Sequence, residues 1–200
     1  KEEKVKTDIN PQEIADNPEG YAREVASEKA NQYDQIAGFS VPRDFVMLPS
    51  KGRIYSSDSP LHNMEEIEVR HLTAADEDIL TSRSLLRSGT AIDTLLDNVI
   101  VNQSIKAEEL VSGDKNAIMT FLRITGYGPE YNVEISCPGC NEDVKSEFDL
   151  TQLNMKMLDT DPVAEGQNRF SFDLPSGLNV HFKFLTSKEE KIISDEQDKI

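Results

Sequence analysis

The sequence is poor in the residues that carry most catalytic and cross-linking chemistry. It holds two cysteines, three histidines and no tryptophan in 200 residues. Two cysteines are too few to staple a small secreted scaffold, so a reducing, intracellular place of synthesis is expected. Positive charge is also scarce: 21 basic against 37 acidic residues leave a formal net charge of −16. Such a surface repels phosphate backbones and anionic lipid, which sets nucleic acid and membrane surfaces aside as main partners. It suits a basic protein partner, or simply solubility. No apolar run approaches the roughly 20 residues of a membrane span. Apolar residues make up 37% of the chain, enough for one compact domain with an extension, or two small ones. The chain starts at Lys1 without a methionine and stops inside a helical pattern at Ile200, so trimmed ends are expected.

What the sequence does hold is organised around Tyr131–Leu150. Val133 and Ile135 alternate with polar residues going in, and Val144, Ser146 and Phe148 alternate coming back. Period-two alternation on both sides of Cys137-Pro-Gly-Cys140 predicts a β-hairpin with the cysteines at its tip. Ahead of it the pattern is mostly helical. Residues 1–38 form a charged N-terminal arm in which Asn10-Pro11 and Asn17-Pro18 read as helix starts. The stripe Tyr21, Val25, Ala26, Ala30, Tyr33 and Ile36 is too thin for an independent fold. Either this arm is a loosely docked leader, or it folds onto a neighbouring chain.

Pro42 and Pro49 forbid a helix between Phe39 and Tyr55, and Ser50-Lys51-Gly52 reads as a tight turn. An extended segment is expected there, packing Phe45, Met47, Leu48, Ile54 and Tyr55 across a domain face. Lys51-Gly52 lacks the spacing of a phosphate-binding loop. Ile67–Leu72 alternates as a strand, and Thr73 caps a helix running to about Arg87 with Ile79, Leu80, Leu85 and Leu86 apolar. A second helix is expected over Thr90–Val101. A third follows Ser112-Gly113-Asp114, carries Ile118, Met119, Leu122 and Ile124, and breaks at Gly126–Pro129. Asp159–Pro162 reads as a turn. Phe170, Phe172 and Leu174 then face Val180, Phe182 and Phe184 in a second hairpin, and Thr186-Ser-Lys-Glu189 is a capping box that opens a last helix. The expected fold is α+β: a core of about three helices packed with antiparallel hairpins, plus the arm. One domain spans 39–200, with a helical part at 67–126, a hairpin part at 127–185 and a C-terminal helix from 186.

Cys137-Pro-Gly-Cys140 leaves three readings open. It matches half of a zinc ribbon, where a knuckle holds two thiolates about 2.3 Å from the metal. A structural site needs four ligands; His181 on the second hairpin, or else His62 or His71, is a further candidate within the chain, and a neighbouring subunit could supply others. It resembles a redox dithiol in spacing, but strands flank it instead of a helix, and Glu142 and Asp143 are expected to raise the thiol pKa. The third reading is a rigid turn without metal, and on ligand count no cofactor is expected. The histidines have no nucleophile at a catalytic spacing, and Asp114 with Asn116 does not fit a calcium loop. No enzyme is expected.

One ordered set of motifs carries a resemblance. Leu48-Pro-Ser-Lys-Gly52 and Tyr55 come first, then Leu72-Thr73 with Asp76-Glu-Asp-Ile-Leu80. Leu122-Arg-Ile-Thr-Gly-Tyr-Gly128, Tyr131, Cys137-Pro-Gly-Cys140 and Phe148-Asp-Leu150 follow. In this order and spacing, residues 45–195 resemble the baseplate protein family of T-even-type contractile-tailed bacteriophages, which includes hub subunits and hub assembly proteins. The resemblance implies a non-enzymatic role in building the hub of a virus tail baseplate, in the host cytoplasm, in contact with other baseplate, hub or tail proteins and as part of an oligomeric assembly. Partner contact is expected at Phe45, Leu48, Lys51 and Tyr55, and at Tyr21 and Tyr33 of the arm. A transient hub assembly chaperone absent from the virion, or a zinc-knuckle adaptor, are the alternatives.

Overall fold

The computed structural model describes residues 41–159 and 164–197. The N-terminal arm, including Tyr21 and Tyr33, and the expected turn at Asp159–Pro162 fall wholly or mostly outside them.

β1 (Arg43–Met47) pairs antiparallel with β2 (Glu66–Arg70), and Val46 stands opposite Ile67. Both of these are buried, so period two sends Phe45 and Met47 to the other face, where they are exposed. The expected packing of Phe45 and Met47 is therefore corrected: Val46, not its neighbours, enters the core. Between the strands the chain folds into successive turns that bury Leu48, Ile54, Tyr55 and Leu61.

Three helices follow: α1 (Ala74–Thr81), α2 (Arg83–Ser88) and α3 (Ala91–Val99). A single helix to Arg87 was expected, but Ser82 is extended, with φ −65° and ψ 114°. Its amide closes α1 on the Ile79 carbonyl at 3.2 Å, and its carbonyl accepts from Leu86 N at 3.0 Å to open α2. Serine suits such a junction because its hydroxyl competes with the helical backbone. The break alters the phase: Leu85 is buried, whereas Leu86 is 57% exposed. α2 stops at Gly89, whose φ of 70° is left-handed. Leu72–Val99 forms one compact unit, and Arg43–His71 with the described residues from Ile100 onward forms another. The third long helix of the expected helical part belongs to the second unit.

In that second unit Ile100 bridges Val69, and a 3-10 turn at Ala107–Glu109 leads to the buried Leu110. α4 (Ser112–Tyr127) buries Ala117, Ile118 and Leu122, while Met119 and Ile124 are only half-buried. β3 (Glu130–Ser136) and β4 (Asp143–Asp149) form the predicted hairpin, with Tyr131 opposite Phe148 and Ile135 opposite Val144. β5 (Phe170–Asp173) and β6 (Asn179–Phe182) form the next, with Phe170 opposite Phe182 and Phe172 opposite Val180. α5 (Ser187–Gln197) follows. Its capping box is formed: Thr186 N donates to Glu189 Oε2 at 3.2 Å, and Glu189 N donates to Thr186 Oγ1 at 3.4 Å. Thr73 makes the analogous corner at α1, donating from its amide and hydroxyl to Asp76. The architecture is α+β, with five α-helices and three two-stranded antiparallel sheets among the described residues.

Candidate functional site

A buried polar cluster fixes the Pro49–Tyr55 turns. Asp114, in the first turn of α4, is fully buried. Its carboxylate accepts from Ser50 N at 2.9 Å, Ser50 Oγ at 2.5 Å and the Tyr55 hydroxyl at 2.7 Å. The same tyrosine oxygen accepts from Val111 N at 3.0 Å, and Gly52 N donates to Ser50 Oγ at 3.0 Å. Burial, and then the Asp114 charge, raise the Tyr55 phenol far above its usual range. Tyr55 therefore stays a donor to Asp114 at any ordinary pH. Lys51 and Gly52 adopt left-handed φ of 51° and 69°. A Cβ on Gly52 would meet Met64 N at 2.2 Å and Leu61 O at 2.5 Å, so only glycine fits that turn. Sequence reasoning missed Asp114 and Ser50. The available signals were a Pro49-Ser-Lys-Gly52 turn, which needs an acceptor for its free donors, and a Ser112-Gly-Asp114 helix start with a carboxylate in its first turn.

This cluster decides the fate of the residues expected to meet a partner. Leu48 is 0% and Tyr55 7% exposed, because both close the turn inside the unit. They are not surface residues, and that expectation is corrected. Lys51 is half-buried, whereas Phe45 is 63% exposed. Phe45 and Met47 edge a groove of about 650 Å³ whose other walls include Phe121, Ile124, Leu153 and Met155. It is apolar, open and made by β1, α4 and the stretch after β4.

The two later hairpins carry further uncovered apolar surface. Tyr131, Ile135, Val144 and Phe148 lie on one face of β3–β4 and are all exposed. The opposite face carries Glu130, Glu134, Asp143, Glu147 and Asp149 against a single Lys145. On β5–β6, Phe170 stacks on Phe182 at 5.4 Å between ring centroids and meets Phe184 edge-on at 5.6 Å. Phe172, Phe182 and Phe184 remain exposed. Both strands of β3–β4 are exposed along nearly their whole length, while Arg123 of α4 holds the start of β3 by donating to Glu130 O at 3.0 Å.

At its tip the ladder continues one step, with Cys137 N donating to Glu142 O at 2.9 Å. Asn141, at φ 57°, returns the chain by donating to Cys137 O at 2.8 Å. Both thiols are free, Cys137 half-buried and Cys140 exposed. The amides of Cys140 and Gly139, and then the Cys140 thiol, hold the Cys137 thiol below its usual pKa. The expected upward push from Glu142 and Asp143 does not prevail at Cys137, because the turn's own N–H groups are nearer. His181 sits exposed on β6, opposite Ser171. Among the described residues no group of three or more metal-ligating side chains is assembled, so His181 is not gathered with the cysteines. His62 Nδ1 lies 2.8 Å from the Tyr55 carbonyl oxygen, and His71 Nε2 lies 2.7 Å from Asp44 Oδ2.

No helix among the described residues is long and apolar enough to cross a membrane. Comparison with curated proteins and with solved structures gave no match. The family model described as T4 bacteriophage base plate protein matches residues 44–200, from β1 through α5 and beyond. That region includes the Asp114-anchored turns, the open groove and both exposed hairpins, and the chain belongs to the T4-type baseplate protein family.

Proposed function

We propose that the chain is a structural or assembly protein of the baseplate hub in a contractile phage tail, working by protein–protein contact without catalysis. The observation that carries this reading is the apolar surface left uncovered on a baseplate-family chain. Phe45 and Met47 at the groove, Phe148 on β4 and Phe172 on β5 are each at least half exposed. Aromatic and methionine side chains of this kind are the usual anchors of protein interfaces. The net charge of −16 favours partners with a basic face. Synthesis and assembly take place in the host bacterial cytoplasm, and the baseplate is the destination.

The test is affinity capture of the full chain from infected cells, followed by mass spectrometry. Enrichment of hub and other baseplate proteins is the expected result. Recovery of host proteins alone contradicts the reading. Proteomics of purified particles then separates a resident hub component, present in virions, from a transient assembly chaperone, absent from them.

A further inference from the structure

The β3–β4 hairpin is incomplete in two ways that one occupant remedies. Its tip offers two thiols, and the whole chain has no third cysteine. A structural zinc site takes four ligands in a tetrahedron. Its apolar face, meanwhile, carries Tyr131, Ile135, Val144 and Phe148 in the open. A hairpin of two strands with an uncovered apolar face is marginal in water. Cys137 lies on the side of the apolar face. Cys137 continues the series Tyr131, Val133, Ile135, and the hydrogen bond its N–H donates to Glu142 O extends the ladder past the Ser136–Asp143 pair. The Cys137 sulfur curls back over the turn, 3.9 Å from where a Cβ on Gly139 would lie.

We propose that two copies of this chain pair through their β3–β4 hairpins, apolar face on apolar face, and that Cys137 and Cys140 of both copies together hold one zinc ion. A two-fold axis running along the hairpins places both tips at the same end and the metal on the axis, the self-complementary arrangement of a symmetric dimer. The charge distribution selects the faces. Five carboxylates and one lysine occupy the other face, which would repel a second copy, whereas the stacking face has no charged residue. Four thiols release their protons on binding one Zn²⁺, leaving a four-thiolate centre of net charge −2.

The experiment uses the full, untagged, reduced chain titrated with zinc chloride, read by native mass spectrometry and sedimentation equilibrium. The expected result is one zinc per two chains, with dimer formed on metal addition and lost on chelation. Cobalt(II) should give the visible absorption of a tetrahedral thiolate site at the same ratio. C137S/C140S should abolish zinc uptake. Ile135→Lys keeps all the thiols and should weaken pairing by roughly 10-fold or more. One zinc per chain on a monomer, no zinc bound at excess, or a dimer indifferent to chelation, C137S/C140S and Ile135→Lys each overturns the proposal.

Discussion

Asp114 shows at the scale of single residues how a distant contact sets a local turn. Ser50 and Asp114 are 64 positions apart, yet the carboxylate holds the turn through three donors. Tyr55→Phe removes the donor to Asp114 and the acceptor for Val111 N. A loss of about 2 kcal/mol in denaturant unfolding at pH 7 is expected. The pH dependence follows from the raised Tyr55 pKa. Above about pH 10 the unfolded chain releases this proton while the folded chain keeps it. The contribution is therefore complete below about pH 10 and falls as pH rises further, by up to about 1.4 kcal/mol per unit. Unfolding midpoints measured from pH 8 to 11 should fall less steeply in Tyr55→Phe than in the parent. Equal slopes would contradict the network. Gly52→Ala drives a Cβ against Met64 N and Leu61 O and should cost more than about 2 kcal/mol. A change below about 0.5 kcal/mol would show that the turn relaxes freely.

Among the elements, the hairpins and caps were legible and the breaks were not. Tyr131, Val133 and Ile135 alternate without ambiguity, so the register of β3–β4 follows from period two. Phe45-Val-Met-Leu48 is apolar at every position and carries no phase. Only the pairing of Val46 with Ile67 decides which residues enter the core. Ser82 splits a helix with neither proline nor glycine to mark it, so the change in phase at Leu86 could not be read. Asp114 looked like one of many carboxylates because its partners lie far off in sequence. The cap at α5 depends on two local bonds, and Thr186→Ala should cost about 1 kcal/mol. The check is hydrogen exchange of the α5 amides, which should speed up in the variant. Exposure also grades the sheets. Ile67 and Val69 of β2 are buried, whereas both strands of β3–β4 are exposed along nearly their whole length. In the metal-free chain, β3–β4 amides should exchange faster than those of β1–β2. Slower exchange there would mean the hairpin is already covered.

For the molecule as a whole, the acidic balance and the uncovered apolar faces point the same way, towards contact with other proteins. The family match begins at residue 44, past the charged arm. Removal of residues 1–37 should therefore leave a chain that unfolds cooperatively but joins its assembly less well. An unfolded product would contradict that division of roles. Association with a basic partner should slow as salt rises, because screening shortens the reach of the −16 charge. The most direct measurement of the central claim is complementation. Cells infected with phage lacking this gene are supplied with the parent chain or with a Phe45→Ser, Phe148→Ser variant, and tails are counted by electron microscopy. Restored baseplates with the parent and a marked deficit with the variant, both chains being equally folded and abundant, are the predicted result. Normal baseplates in the absence of the chain, or full rescue by the variant, would contradict a baseplate role carried by these exposed surfaces.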